Sequence, residues 1–402
     1  MEVHSYLIQL VIILLSARLV GEVASRIRIP PVIGELCAGI IIGPTLLGWV
    51  ETSDFIYLLA QIGIILLLFE VGIESDIGKL SSAGYRALSV AVVGAVLPFG
   101  SGFFLCKYLF DLSLIISLFV ACTLTATSIG ITLRVLRDLK SQNTEEAQII
   151  IGAAVLDDIF GIVLLSMLYE FAIAGEINFW NTGKVIFFIA IFFLIAPIAA
   201  KFISQIVKKW EEKTEIPGIL PTMIISIILF FAWLAHLLGA PELLGGFAAG
   251  LALSRQFFFP LGVFLHESET FNHRVEEQMR PIIHLFTPIF FVVIGLSLNL
   301  REIDWGSPFV WSLGGGLIVV GVLGKLLAGF SLKNTNPLSK LIIGTAMVPR
   351  GEVGLIFANV GLSLGVLKND IYATIILVIA ITTLVAPFFL RFLFAKSERK
   401  VY

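Results

Sequence analysis

The sequence predicts an all-α polytopic membrane protein with thirteen transmembrane helices. Three observations carry that reading. Hydrophobic residues make up 58% of the 402 positions and charged residues only 14%, against about 25% charged in ordinary soluble domains; mean hydropathy is +1.00. Apolar windows of about 20 residues, the length that crosses a hydrocarbon core, recur along the whole chain. Lysine and arginine, finally, are sorted onto alternate connections between those windows. The same figures exclude a soluble globular enzyme and a disordered chain. A net charge of −2 supplies no field that would draw the chain to nucleic acid, and no nucleic-acid partner is expected.

The span cores lie at 5–25, 31–50, 55–74, 86–106, 113–134, 147–170, 183–207, 218–238, 240–255, 281–299, 307–331, 337–364 and 370–394. The first is not a cleavable signal peptide, because its leader Met-Glu-Val-His lacks a basic segment and Ser-Arg-Ile-Arg follows the apolar run. The break between the eighth and ninth spans rests on Gly239, Ala240 and Pro241. Residues 255–280 carry four acids, three arginines and two histidines, and read as an amphipathic connecting loop. No regulatory domain is expected after the last span, which ends in Ala-Lys-Ser-Glu-Arg-Lys-Val-Tyr. Cys37, Cys106 and Cys122 all sit in apolar runs and offer neither a disulfide framework nor a zinc pattern. No cofactor is expected.

With thirteen spans, odd-to-even connections and the C-terminus hold twenty of the 27 basic residues. The opposite side holds only Lys107, Lys184, Arg301 and Lys368, and Arg18, Lys325 and Arg350 fall within spans. The positive-inside rule then puts the C-terminus in the cytoplasm and the N-terminus outside, in a multi-pass protein of the plasma (inner) membrane. One helix more or fewer would scramble the asymmetry.

The two halves echo each other. Ile33-Gly34-Glu35-Leu36-Cys37-Ala38-Gly39 is similar to Leu244-Gly245-Gly246-Phe247-Ala248-Ala249-Gly250, Phe69-Glu70-Val71-Gly72-Ile73 to Val292-Val293-Ile294-Gly295-Leu296, and Thr125-Ala126 to Thr345-Ala346. Each match is weak, since small residues are common in packed membrane helices. Together they recur in chain order, seven spans apart. An odd separation turns the copies upside down relative to each other, the arrangement in which transporters place a site at the repeat interface. Spans five and twelve, which are partners in the repeat, are also poor continuous helices. The fifth carries Thr123-Leu124-Thr125-Ala126-Thr127-Ser128-Ile129-Gly130, and the twelfth Met347-Val348-Pro349-Arg350-Gly351-Glu352. Pro349 removes a donor and disfavours helix at Val348. Two interrupted helices at matching places point to an ion site; plain kinks are the alternative.

A charge at the bilayer centre costs roughly 2.5–3.5 kcal/mol or more, so it marks function by default. Asp157 and Asp158 lie mid-span, as does Lys325, while Arg350 and Glu352 flank the break in span twelve. Adjacent helical residues point about 100° apart. One aspartate can therefore pair with Lys325 while its neighbour faces a water-filled cavity. A purely structural ion pair would explain one aspartate and leave the other charged. Carboxylate, hydroxyl and freed carbonyl oxygens suit a hard monovalent cation such as Na⁺, and protons compete for the same carboxylate. That competition suffices for antiport when only loaded forms cross. Arg350 and Glu352 are read as neutralising the ends of half-helices. Glu35 and Glu70 line an access funnel or are ordinary interfacial charges; Arg18 and His284 are read as packing or interface residues.

With these residues in place the chain resembles the bacterial monovalent cation:proton antiporters of the second such group, and looks closest to the NapA-type Na⁺/H⁺ antiporters. The matching stretches are Pro31-Val32-Ile33-Gly34-Glu35, Ala126-Thr127-Ser128-Ile129-Gly130-Ile131-Thr132, Gly152-Ala153-Ala154-Val155-Leu156-Asp157-Asp158, Leu323-Gly324-Lys325 and Pro349-Arg350-Gly351-Glu352-Val353-Gly354. The resemblance implies a scaffold and dimer part (1–84 and 215–300), a core ion-transport part (85–180 and 305–396) and a linker helix (181–214). Spans five and twelve would be unwound and crossing, supported by Ser128, Arg350 and Glu352. It also implies that Asp158 carries the ion and the proton, that Asp157 pairs with Lys325, and that Thr127 lines the site, so that Asp158, Asp157 and Thr127 hold Na⁺ transiently. Expected partners are Na⁺ or Li⁺, H⁺, the lipid bilayer and a second copy in a homodimer. Related potassium efflux systems carry glutamine before the aspartate and a nucleotide-binding domain; Asp157 points away from them and toward the electrogenic type.

Three other readings compete. A K⁺/H⁺ antiporter of the same family differs only in ligand placement. A sodium-coupled symporter would not need Lys325. An intramembrane aspartyl protease needs carboxylates converging from two helices, whereas here both are consecutive on one. A channel filter motif is not apparent.

Overall fold

In hydrocarbon the backbone must close its hydrogen bonds within each segment, so spans are helices unless buried in protein. A computed structural model describes residues 2–27, 29–74, 77–175, 179–211, 218–253 and 269–398. Among these are fifteen α-helices and no strand. They are α1 (Glu2–Arg26), α2 (Pro31–Ile42), α3 (Asp54–Glu74), α4 (Ile77–Phe104), α5 (Leu114–Thr125), α6 (Ile129–Asp138), α7 (Glu145–Ala174) and α8 (Phe179–Glu211). After these come α9 (Ile219–Leu237), α10 (Glu242–Ala252), α11 (Glu269–Ser297), α12 (Pro308–Phe330), α13 (Pro337–Ala346), α14 (Glu352–Ser363) and α15 (Asn369–Glu398). The pair α5 and α6 divides the fifth predicted span, and α13 and α14 divide the twelfth. Nine stretches among the described residues are long and apolar enough to cross a membrane; α2, α10 and α14 lie in shorter apolar helices.

Several boundaries differ from the sequence reading for local reasons. The second span ends as helix at Ile42, not at 50, because Gly43 turns extended and Pro44 follows. Twelve residues rise only about 18 Å, so residues 43–50 complete the crossing as a turn. Arg301 holds that turn, donating from Nε to Thr45 O (2.9 Å) and from Nη2 to Leu46 O (2.7 Å). The predicted loop at 255–280 is helical from Glu269, where Arg280–Glu276 and His273–Glu277 form i,i+4 pairs on an amphipathic turn; its residues 255–268 lie outside the described ones. The boundary at 84/85 falls inside α4. The eighth–ninth break does fall at Gly239, whose φ of +76° favours glycine.

The sequence echoes reappear as equivalent contacts. Gly39 of α2 meets Gly295 of α11, and Gly250 of α10 meets Gly72 of α3: a Cβ added at Gly39 would lie 2.8 Å from Gly295 Cα, and one at Gly250 2.9 Å from Gly72 Cα. In the same way Gly34 rests on the backbone of α1 at Val20 and Gly245 on that of α9 at Phe231. Thus α1, α2, α3, α9, α10 and α11 pack on one another, and α4, α5, α7, α12, α13 and α15 form a second packed group. Helix α6 stands between the groups, touching α2 and α3 as well as α7 and α15.

Candidate ion site

The site is built where two helices stop. Helix α5 ends at Thr125 and α6 begins at Ile129, leaving Ala126 and Ser128 extended. Helix α13 ends at Ala346 and α14 begins after Gly351. The two unwound segments cross in contact, Ser128 N donating to Pro349 O at 2.8 Å. Crossing at this range needs glycine: a Cβ on Gly351 would lie 2.5 Å from Ser128 Oγ and 2.7 Å from its Cβ.

Helix ends orphan carbonyls, and side chains take them up here. Arg350 Nη1 donates to Ala126 O (2.6 Å) at the end of α5, where a cation also opposes the negative end of the helix dipole. Thr132 Oγ1 donates to Ala346 O (2.6 Å) and Thr127 Oγ1 to Met347 O (3.0 Å) at the end of α13. Thr383 of α15 donates to Arg350 O. Arg350 is fully buried. Glu352 is the first residue of α14, and its side chain lies outside the described residues.

Asp157 and Asp158 are both buried near the middle of α7. Lys325 Nζ, wholly buried on α12, donates to Asp157 Oδ2 at 3.1 Å. Gly94 of α4 lies beside it, its Cβ position 3.6 Å from Lys325 Cδ and 3.7 Å from Nζ, an ordinary contact distance. Asp158, the next residue along α7, lines a cavity of about 540 Å³. Its wall includes Tyr57, Gln61 and Ile64 of α3, Tyr169 of α7, the bend at 239–241 and Val360 of α14. Tyr57, Tyr169 and His236 at its rim are exposed. All of these lie toward the arginine-poor end of the helices, so the cavity opens there.

The arginine-rich end is tied across by ion pairs. Arg134 Nη2 of α6 pairs with Glu35 of α2 (3.3 Å), and Arg137 of α6 with Glu70 of α3 and with the His284 ring of α11. Glu35 and Glu70 are thus neither an open funnel nor interfacial charges: each is 2% exposed. Arg18 Nη2 donates to His284 O (2.5 Å), a carbonyl left free because Pro288, four residues on, has no N–H.

The sequence-predicted residues therefore divide. Asp157, Asp158 and Lys325 come together; Ser128, Thr127 and Arg350 meet at the crossing. Thr127 does not line the cavity, since its hydroxyl is turned to Met347. Thr132 and Thr383 were missed. The consecutive threonines Thr382 and Thr383, inside the otherwise apolar run 375–390 of α15, were the available signal.

Residues 11–396 match the family described as the transmembrane sodium/hydrogen exchangers. The chain is 33% identical over 437 residues to the high-affinity Na(+)/H(+) antiporter NhaS3 of Synechocystis, across 98% of this chain and 91% of that one. It is 34% identical over 400 residues to the Na(+)/H(+)-K(+) antiporter GerN of Bacillus cereus, across 98% and 97%. Its fold is similar to that of the sodium proton antiporter MjNhaP1 from Methanocaldococcus jannaschii, with a TM-score of 0.68 and 18% identity over 97% of this chain and 99% of that one.

Proposed function

The chain belongs to the sodium/hydrogen exchanger family, and we propose that it exchanges Na⁺ or Li⁺ for H⁺ at Asp158. It is a multi-pass membrane antiporter. The observation that carries the site is the division of labour on α7: Asp157 is held by Lys325, whereas Asp158 faces the cavity. A carboxylate that water can reach binds either a cation or a proton. If the carrier reorients only when one of them is bound, the two fluxes are coupled.

The two packed groups of helices supply the moving parts in this reading. The group holding α4, α5, α7 and α12 to α15 is the transport core, the group holding α1 to α3 and α9 to α11 is the scaffold, and α8 links them. Motion of the core against the scaffold exposes Asp158 to each face in turn. The basic-residue asymmetry puts the arginine-rich end in the cytoplasm, so the cavity faces outward across the plasma membrane. The Asp157–Lys325 pair adds a second exchangeable proton, which supports electrogenic exchange; assembly as a homodimer belongs to the same reading. Potassium as a co-substrate is a second reading, favoured by the similarity to GerN, whose name includes K(+).

The test is exchange in proteoliposomes with a luminal pH dye, an imposed pH gradient, and Na⁺, Li⁺ or K⁺ added with voltage clamped or released. Asp158→Asn should abolish dequenching while the protein remains folded. Robust pH-driven Na⁺ exchange by that variant would overturn the assignment.

A further inference from the structure

We propose that Arg134 and Arg137 of α6, with Glu35, Glu70 and His284, form a latch that closes the cytoplasmic face and must open in every transport cycle. The inference rests on the two-part reading above, in which α6 travels with the core. Its geometry is specific. Among the described residues, the arginines pair outside α6 with scaffold groups: Glu35 on α2, Glu70 on α3 and the His284 ring on α11. These contacts lie at the end opposite the Asp158 cavity. Between the two, Gly130 of α6 is covered by Ile64 of α3 and Phe290 of α11, since a Cβ there would lie 2.7 Å from Ile64 Cδ1 and 3.0 Å from Phe290 Cε1. Ile64 also lines the cavity, so one apolar plug is floor to the cavity and roof to the latch.

The chemistry suits a latch rather than a permanent joint. Buried ion pairs cost desolvation that their attraction only partly returns, so the closed state gains little from them over a state in which water solvates all the charges. Glu35 Oε2 has no hydrogen-bond partner among the described residues, which weakens that pair further. Asp138 sits 3.5 Å from Arg134 Nε on the same helix and would keep that arginine paired once Glu35 is released. His284 accepts from Arg137 only while neutral, and Arg18 holds the carbonyl of the same histidine from α1. Removing Glu70 deprives the largely buried Arg137 guanidinium of that carboxylate in the closed state, whereas water solvates it in the open one, so the equilibrium must move toward cytoplasm-open.

The test uses full-length protein reconstituted in nanodiscs and proteoliposomes. Glu70→Gln, alone and with Glu35→Gln, should speed amide hydrogen exchange at residues 129–138 about tenfold and slow it at the cavity rim, residues 236–243. The ratio of cytoplasmic to external half-saturation by Na⁺ should fall by about the same factor, because apparent affinity scales with the fraction of competent conformer. The charge-swapped pair Glu70→Arg/Arg137→Glu should return both readouts to within about twofold. Should Glu70→Gln fail to fold, Arg137→Lys serves instead, since an ammonium cannot bridge Glu70 and His284 as a planar guanidinium does; a shift of about threefold is expected. Unchanged sidedness in these variants, or no recovery on swapping, would overturn the latch. Hydrogen exchange does not depend on transport, so its outcome is separable from that of Asp158→Asn, which tests the ion site.

Discussion

Gly351→Ala isolates the crossing of the two unwound segments. The residue's φ of −150° lies outside the left-handed region that favours glycine, and the obstacle to a side chain here is one of space. The new Cβ would lie 2.5 Å from Ser128 Oγ and 2.7 Å from Ser128 Cβ, where ordinary contact begins at 3.4 Å. It is therefore about 0.9 and 0.7 Å too close. Rotating Ser128 removes the first clash but not the second, because Cβ moves only with the backbone. That backbone is tied across the crossing by Ser128 N to Pro349 O at 2.8 Å. Relief means stretching this bond or displacing α14. Overpacking of this kind costs about 1–3 kcal/mol, or about 5- to 150-fold in an equilibrium. The assay pairs thermal unfolding in detergent with Na⁺-driven proton exchange in proteoliposomes, for Gly351→Ala, Ser128→Gly and the double variant. Ser128→Gly deletes both clashing atoms, so the double variant should recover most of what Gly351→Ala loses, a coupling that a double-mutant cycle reads directly. Wild-type stability and exchange in Gly351→Ala, or a double variant no better than the single, would refute the crossing geometry.

Lys325→Ala leaves Asp157 buried without its partner, and should destabilise the protein by about 3–5 kcal/mol; adding Asp157→Asn should recover a large part, as thermal unfolding of the double variant will show. The same lysine variant should lose the voltage response of exchange, and normal voltage-dependent turnover would count against a proton on that pair. Gly39→Ala and Gly250→Ala alter equivalent joints of the inverted repeat. Each should lower stability by about 1–3 kcal/mol and by similar amounts; a large cost at one and none at the other would argue against equivalence.

What the sequence disclosed follows the range of the physics involved. The broken spans were legible because their causes are local: a proline without a donor, glycines, and hydroxyls that compete for backbone. Charges on α7 and α12 were legible because hydrocarbon penalises each one where it stands. Lys325 could be matched to an aspartate because it is the lone charge in an otherwise uncharged span. Long-range choices were not legible. Nothing near Thr127 says that its hydroxyl turns to Met347 O, 220 residues away, and nothing near Glu35 or Glu70 names an arginine on α6. The early end of α2 was hidden because Gly43-Pro44 sits inside an apolar run that reads as one span. The start of α11 was missed although its acids and bases are spaced at i,i+4, a helical signal that a charged stretch beside an apolar one tends to conceal.

The kinds of contact also separate what can move from what cannot. Within each proposed body, helices meet backbone to backbone. A Cβ on Gly295 would lie 2.9 Å from Gly39 Cα, one on Gly72 3.0 Å from Gly250 Cα, and one on Gly344 2.8 Å from Leu326 Cα. Such joints hold by dispersion between surfaces with no room for water, and sliding them one residue would drive side chains into backbone. Between the bodies the contacts are different. Gly130 faces the tips of Ile64 and Phe290, and the arginines of α6 meet carboxylates that water can solvate as well. Side-chain tips rearrange by rotamer changes, and ion pairs exchange partners with solvent. In the proposed two-body reading, rigid joints thus lie inside each body and exchangeable ones along the surface between them.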